Sequence, residues 1–282
     1  MAMRDLDTDQ IRKNYRHSGY CFPLDVLSPE QAAAYRARLE AVEDDIETRK
    51  LGRRGQLNHM HLVLCFANEI VRNSRILDAV EAVIGPDIMI WGSTFFIKEP
   101  NTSGFVSWHQ DLRYWGLQDS DAMVSAWLAL GPVYKANGCM RFIPASHLAG
   151  LAEHEEHFDA ENFLYRGQRA RIDIDESKAV DVELEAGQIS LHHGYLLHAS
   201  APNFSDQRRV GLTMNFIAPH NRQVVASRDF AMLVRGEDRY GNFEILPEPE
   251  TDMSDSALQW HHRVLSTQDE ASYAGADADA AG

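Results

Sequence analysis

Hydrophobic positions along the chain change period near residue 87. Before that point they recur at helical spacing. In NSRILDAVEAVIGP (73–86), Ile76, Val80 and Val83 form one stripe, Ser74 is placed to cap the helix, and Gly85 followed by Pro86 ends it. The segment SPEQAAAYRARLEAVEDDIETRK (28–50) predicts an earlier helix, with Ser28 as N-cap, Pro29 at the first helical position and Gln31 completing a capping box. Beyond residue 87 the apolar runs become short and strand-like. Candidates are 88–98, 106–112, 123–130, 139–146, 179–184, 188–194 and 208–218, separated by the turn signals EPNTSG, KANG, EAG and APNFSD. Two helices followed by many short strands predict a mainly β core with helices packed outside. Between the helices, RKLGRRGQLNHMH (49–61) is basic and weakly periodic, and reads as a solvated loop; a lid bringing His59 or His61 over a pocket is the alternative. Residues 267–282 are small and acidic and read as a disordered tail, leaving 1–266 as one domain.

Composition narrows the function. The chain carries 27 basic and 42 acidic residues, a formal charge of −15, which argues against nucleic acid or an anionic membrane as partner. Its longest apolar runs, such as HLVLCFA (61–67), are too short to span a bilayer, and MAMRDLDTDQ lacks the apolar core of a signal peptide. Cys21, Cys65 and Cys139 show neither a disulfide framework nor zinc spacing, and read as reduced, mostly buried thiols. A cytoplasmic protein acting on a small molecule is expected. Nothing in the sequence sets an oligomeric state.

The candidate chemistry centres on SWHQDLRYWG (107–116). On a strand, His109 and Asp111 would project from the same face. Downstream, LHHGYLLHASAPNFSDQRR (191–209) offers His198 as a third ligand, with His192 and His193 competing for the role. Two histidines and one carboxylate leave about three coordination positions open, which suits iron(II). Arg209 stands eleven positions after His198 and could hold a carboxylate bidentately. On its strand, Arg209, Gly211, Thr213 and Asn215 share one face, while Val210, Leu212, Met214 and Phe216 share the other. The polar face makes the better pocket wall, which favours Arg209 over Arg208; surface ion pairs for both arginines remain the alternative.

The segments WHQD (108–111), NGCMRFIPASH (137–147) and HASAPNFSDQRR (198–209) together resemble the phytanoyl-CoA dioxygenase family, iron(II)- and 2-oxoglutarate-dependent oxygenases, over residues 15–245. The resemblance implies a double-stranded β-helix, the cupin-like jelly roll, with outer helices. It implies iron(II) held by His109, Asp111 and His198, with O2 and 2-oxoglutarate as co-substrates. Arg209 and Ser200 would hold the distal carboxylate of 2-oxoglutarate, and Trp115 would lie against it or simply pack in the core. Asn137, Gly138, Pro144, Ser146, His147 and Asn203 read as turn and strand-end formers, so His147 is not expected to bind metal. The implied reaction hydroxylates a C–H bond and releases succinate and CO2. Substrate contacts are sought among His59, His61, Lys98, Gln110, Arg113, Tyr114 and Arg141. A halogenase on this fold would replace the carboxylate ligand with a small residue, so Asp111 argues against it. A non-catalytic jelly-roll sensor would need neither Arg209 nor Ser200.

Overall fold

The computed structural model describes residues 5–52, 55–113, 115–156, 159–164 and 169–273, with the side chains of the last helix described to residue 268. The N-terminal third supplies helices α1 (Thr8–Ser18), α2 (Pro29–Glu40), α3 (Glu43–Thr48), α4 (Cys65–Val71) and α5 (Ser74–Ile84), and α6 (Asp255–Tyr273) closes the described chain. None of the described helices is long and apolar enough to cross a membrane.

Strands β1 (Tyr20–Asp25), β2 (Gln56–Asn58), β3 (Ile88–Lys98), β4 (Val106–His109), β5 (Met123–Ala129), β6 (Met140–Phe142), β7 (His154–Glu155), β8 (Arg169–Ala170), β9 (Val180–Val182), β10 (Gln188–His192), β11 (His198–Ser200), β12 (Arg209–Ile217), β13 (Phe230–Arg235) and β14 (Glu244–Ile245) follow in chain order. Eight of them form one sheet, ordered β1-β10-β5-β12-β3-β13-β14 with β2 also on β3, and four form a second, ordered β4-β11-β6-β9. The small pair β7–β8 stands apart. This is the expected jelly roll, mainly β with outer helices.

The two faces of the large sheet differ. Its outer face, including Phe95, Leu128, Val210, Leu212, Met214 and Phe216, packs on Ile11, Leu39, Ile70 and Val80 of the helices. Each such wholly buried side chain contributes about 1.5–3 kcal/mol. Its inner face meets the small sheet through Trp127, Met140, Phe142 and Val182.

Several local expectations change. The helix expected over 28–50 has its capping box at Ser28 and Gln31, but breaks at Val42, whose ψ of 1° leaves the helical range, giving α2 and α3. The N-cap of α5 is Asn73, not Ser74: its side-chain oxygen accepts from Arg75 and Ile76 N–H, a reach the shorter serine hydroxyl one residue later does not have. Gly85 ends that helix at φ 89°, a conformation that favours glycine. The segment 49–61 is a solvated loop only at its start, where Arg49 and Lys50 are exposed. Gln56–Asn58 pair with Phe96–Thr94 of β3, and His59, Met60 and His61 are buried beneath α6, where His261 Nε2 lies 2.8 Å from the Asn58 carbonyl. The supposed tail is also helical through Tyr273, because Ala257, His261 and Val264 bury one face of α6; residues 274–282 lie outside the described residues.

Candidate active site

Register builds the centre of the site. The last residue of β4, His109, sits directly opposite the first residue of β11, His198, in the antiparallel pair. Their ring centroids are therefore 4.1 Å apart. Asp111 arrives differently from expectation. The strand ends at His109, and Asp111 opens a 3-10 turn, Asp111–Arg113. Gln110 makes this turn. Its side chain is buried, donating to the carbonyls of Gly150 (2.9 Å) and Tyr195 (2.6 Å) and accepting from Ala152 N–H (2.8 Å). The turn swings the Asp111 carboxylate back to His109 rather than relying on strand alternation.

The three side chains form one donor set. Asp111 Oδ1 lies 3.3 Å from His109 Nε2 and 3.5 Å from His198 Nε2. Ligating atoms of His109, Asp111 and His198 all lie within 4.8 Å of one another. Each histidine is oriented through its other nitrogen: His109 Nδ1 is 2.9 Å from the Ser107 carbonyl, and His198 Nδ1 is 2.9 Å from the Leu196 carbonyl. A carbonyl only accepts, so Nδ1 carries the proton and Nε2 presents a lone pair, the arrangement of a metal-ligating imidazole. Burial holds His198 down to about 3, so it stays neutral. Burial also pushes Asp111 upward, but the imidazoles gathered around it, His198 first and then His109 and His192, outweigh it and hold the carboxyl well below its ordinary value. Its other oxygen, Oδ2, accepts from Ser125 Oγ (2.8 Å) and faces His192 Nε2 at 3.4 Å. A neutral N, neutral N, anionic O set of this kind fits iron(II).

The cluster sits in a cavity of about 260 Å³. Its lining includes Arg209, Ser200 and Trp127 as well as Trp91, Trp115, His59, Asn58, Thr94, Thr213, Asn215 and Gln268. The phase read for β12 holds: Arg209, Thr213 and Asn215 face the cavity, and the alternate residues are core. Gly211 is absent from the wall because the Trp127 ring lies against its Cα, leaving no room for a side chain. The Arg209 guanidinium stands 5.3 Å from that ring, donates to the Gly138 carbonyl at 2.7 Å, and keeps a buried Nε with no partner. Arg208 instead pairs with Glu40, Glu43 and Glu99 at the surface.

Of the sought substrate contacts among the described residues, the structure brings only His59 to the wall. Gln110 is spent on backbone. Arg113, following the 3-10 turn outward, is exposed. Arg141 alternates with the cavity-lining Met140 on β6, so it points to the other face, pairing with Glu176 and Asp181 beside Trp108. Lys98 lies behind Ser200 rather than on the wall. His61 is turned to Ser93 Oγ at 2.7 Å, and Tyr114 lies outside the described residues. His193 faces Asp121 and stacks on His147, away from the cluster; His147 itself contacts the Arg16 carbonyl. Ser125 and Trp127 were not singled out, although alternation in MVSAWLAL puts both on one face. Leu265 and Gln268 of α6 carry no sequence signal for a site.

A jelly roll with a buried His-Asp-His cluster at the floor of its cavity, and an arginine held nearby, defines a class: non-haem iron oxygenases that use 2-oxoglutarate. Within it, the chain belongs to the phytanoyl-CoA dioxygenase family, whose sequence model matches residues 15–211. It is 31% identical over 147 residues to the peroxisomal phytanoyl-CoA dioxygenase of Homo sapiens, covering 50% of this chain and 43% of the human protein. The match thus spans less than half the length of that relative. Among solved structures, the non-heme monooxygenase ThoJ superposes with a TM-score of 0.84 at 32% identity, covering 93% of this chain and 97% of ThoJ. The epimerase SnoN, in complex with Fe3+, alpha ketoglutarate and nogalamycin RO, shares the fold at a TM-score of 0.63 and 18% identity, over 88% of this chain and 96% of SnoN.

Proposed function

We propose that the protein is an iron(II)- and 2-oxoglutarate-dependent dioxygenase that hydroxylates a C–H bond of a small polar metabolite, releasing succinate and CO2. The observation that carries the reading is the pair of imidazoles whose Nδ1 protons are tied to backbone carbonyls while both Nε2 atoms face one oxygen of Asp111. In this reading His109, Asp111 and His198 hold iron. Iron with 2-oxoglutarate supplies the oxidising power, one atom of O2 going to the co-substrate's carboxyl group and the other to the C–H bond. Arg209, with its unpartnered Nε, and Ser200 bind the distal carboxylate. Trp127 stacks beside that arginine. Trp115 packs 5.1 Å from Trp91 and so belongs to the wall around the substrate.

The carboxylate of Asp111 favours hydroxylation over halogenation, and the Arg209–Ser200 clamp favours an enzyme over a sensor. Among the described residues, Asp111 and Arg209 are the charged side chains lining the cavity besides its histidines, and the rest of the polar wall is amide, hydroxyl and imidazole. With one cation in it, such a wall suits a small molecule better than a CoA thioester, whose phosphates call for several cations, and its amides and hydroxyls can meet that molecule's polar groups. Three free cysteines support a cytoplasmic setting. The test is a metabolite panel with iron(II), 2-oxoglutarate and O2. The reading expects a compound that stimulates succinate formation and gains the mass of one oxygen. Stimulation by acyl-CoA thioesters alone would overturn the substrate class, and a gain of chlorine instead of oxygen would overturn the reaction.

A further inference from the structure

Lys98 ends β3 directly opposite Arg209 of β12. Both are buried, Lys98 at 0% exposure and Arg209 at 2%. Among the described residues no carboxylate lies within ion-pair distance of either cation, although buried charges are ordinarily paired. Their chain neighbours Glu99 and Arg208 point the opposite way and pair with each other at the surface. The Cys139 thiol also faces the two cations, and burial pushes it up to about 11, so it is neutral. Asp181 and Glu183 act on that thiol from behind. The remaining neighbours of the Lys98 amine are uncharged: the Phe163 ring at 5.9 Å, Ser200 Oγ at 2.8 Å, and the carbonyls of Ala201 at 2.5 Å and Ser200 at 3.4 Å. A buried guanidinium beside a buried amine, with no counter-charge for either, marks a place where an anion arrives with the ligand.

We infer that Lys98 is a positioning residue for the co-substrate, taking up a proton as the carboxylate of 2-oxoglutarate binds and aiming the Ser200 hydroxyl at it. The inference rests on the proposed function. The amine donates to Ser200 Oγ, which occupies an oxygen lone pair and leaves the hydroxyl proton to point into the cavity that Ser200 lines. Before the anion arrives, burial and then Arg209 hold Lys98 down to about 6, so at neutral pH the amine is mostly uncharged. A carboxylate placed on Arg209 offsets that repulsion and raises the lysine. Binding between the two values therefore consumes a proton, and affinity falls as pH rises. Below the lower value the lysine is already charged, and the dependence flattens.

Calorimetry of 2-oxoglutarate binding to the iron(II)-loaded full chain, under anaerobic conditions and in buffers of different ionisation enthalpy, counts the protons. At pH 8 the wild type is expected to take up close to one proton per molecule bound. Its affinity should fall about tenfold per pH unit from pH 7 to 9. Lys98→Met, close in size, should lose both the uptake and the slope. It should also raise KM for 2-oxoglutarate while leaving kcat at saturation near wild type, a split that general destabilisation would not produce. Ser200→Ala should keep the proton uptake. Wild-type binding without proton uptake overturns the inference even if Lys98→Met does not fold, and so does unchanged uptake in a folded Lys98→Met. Absence of any 2-oxoglutarate binding to the iron-loaded wild type takes down the proposed function and this inference together.

Discussion

Arg208 and Arg209 are adjacent and equally charged, yet they point to opposite sides of the sheet. Arg209 is 2% exposed, faces the cavity and has an unpartnered Nε. Arg208 faces outward to Glu40 of α2, Glu43 of α3 and Glu99, at 3.3, 2.6 and 2.8 Å. On the proposed function, Arg209→Ala removes a charge-assisted, two-pronged contact from a buried site. Hydrogen bonds to charged groups contribute about 1.5–3 kcal/mol each, and some solvent will refill the space, so the loss should be about 2–4 kcal/mol of co-substrate binding. That corresponds to about thirty- to several-hundred-fold in Kd. Arg208→Ala should leave 2-oxoglutarate affinity within about twofold and instead lower stability by about 1 kcal/mol, since its partners are solvent-screened. Calorimetric 2-oxoglutarate titration and thermal melts of both variants make the comparison. A strong co-substrate defect in Arg208→Ala beside a normal Arg209→Ala would refute the strand phase and the clamp.

The same reasoning covers the metal cluster. Asp111→Ala should abolish iron retention and hydroxylation, and Asp111→Glu should lose most activity because the added methylene misplaces the oxygen by about an ångström; iron content and succinate release report both. His198→Ala should lose iron, whereas His193→Ala, which removes a side chain turned to Asp121, should stay metal-replete by elemental analysis. Ser125→Ala frees Asp111 Oδ2 from its 2.8 Å donor and should weaken iron about ten- to hundredfold, measured by competition with a chelator. Gln110→Ala touches no ligand yet strands three backbone groups, so it should cost about 2–4 kcal/mol in denaturant melts and loosen iron as well.

What could be read from the sequence follows physical locality. The phase of β12 was legible because Val210, Leu212, Met214 and Phe216 occupy alternate positions between Arg209, Gly211, Thr213 and Asn215. The His109–Asp111 proximity was anticipated, but its cause was not. Alternation along a strand is a local rule, whereas the 3-10 turn depends on Gln110 reaching Gly150 and Tyr195, residues distant in sequence. The facing of His109 and His198 depends on a register between strands 89 residues apart (198 − 109), which no local pattern reports. β2 was missed because three residues are too few to show a period. α6 was missed because one of its buried positions is His261, polar by composition but turned to the Asn58 carbonyl, so the helix that contributes Leu265 and Gln268 to the cavity showed no apolar stripe and its last turns were read as tail. α1 was overlooked despite legible signals: Asp7 caps it, Gly19 ends it, and Ile11 and Tyr15 lie one turn apart.

The central claim is that His109, Asp111 and His198 hold iron(II) in a site that also takes 2-oxoglutarate. Anaerobic addition of iron(II) and then 2-oxoglutarate, followed by visible absorption, tests it most directly. The account predicts a weak charge-transfer band that saturates at one iron and one 2-oxoglutarate per chain and is missing from Asp111→Ala and His198→Ala. A wild-type protein that binds iron yet develops no band with 2-oxoglutarate would contradict it.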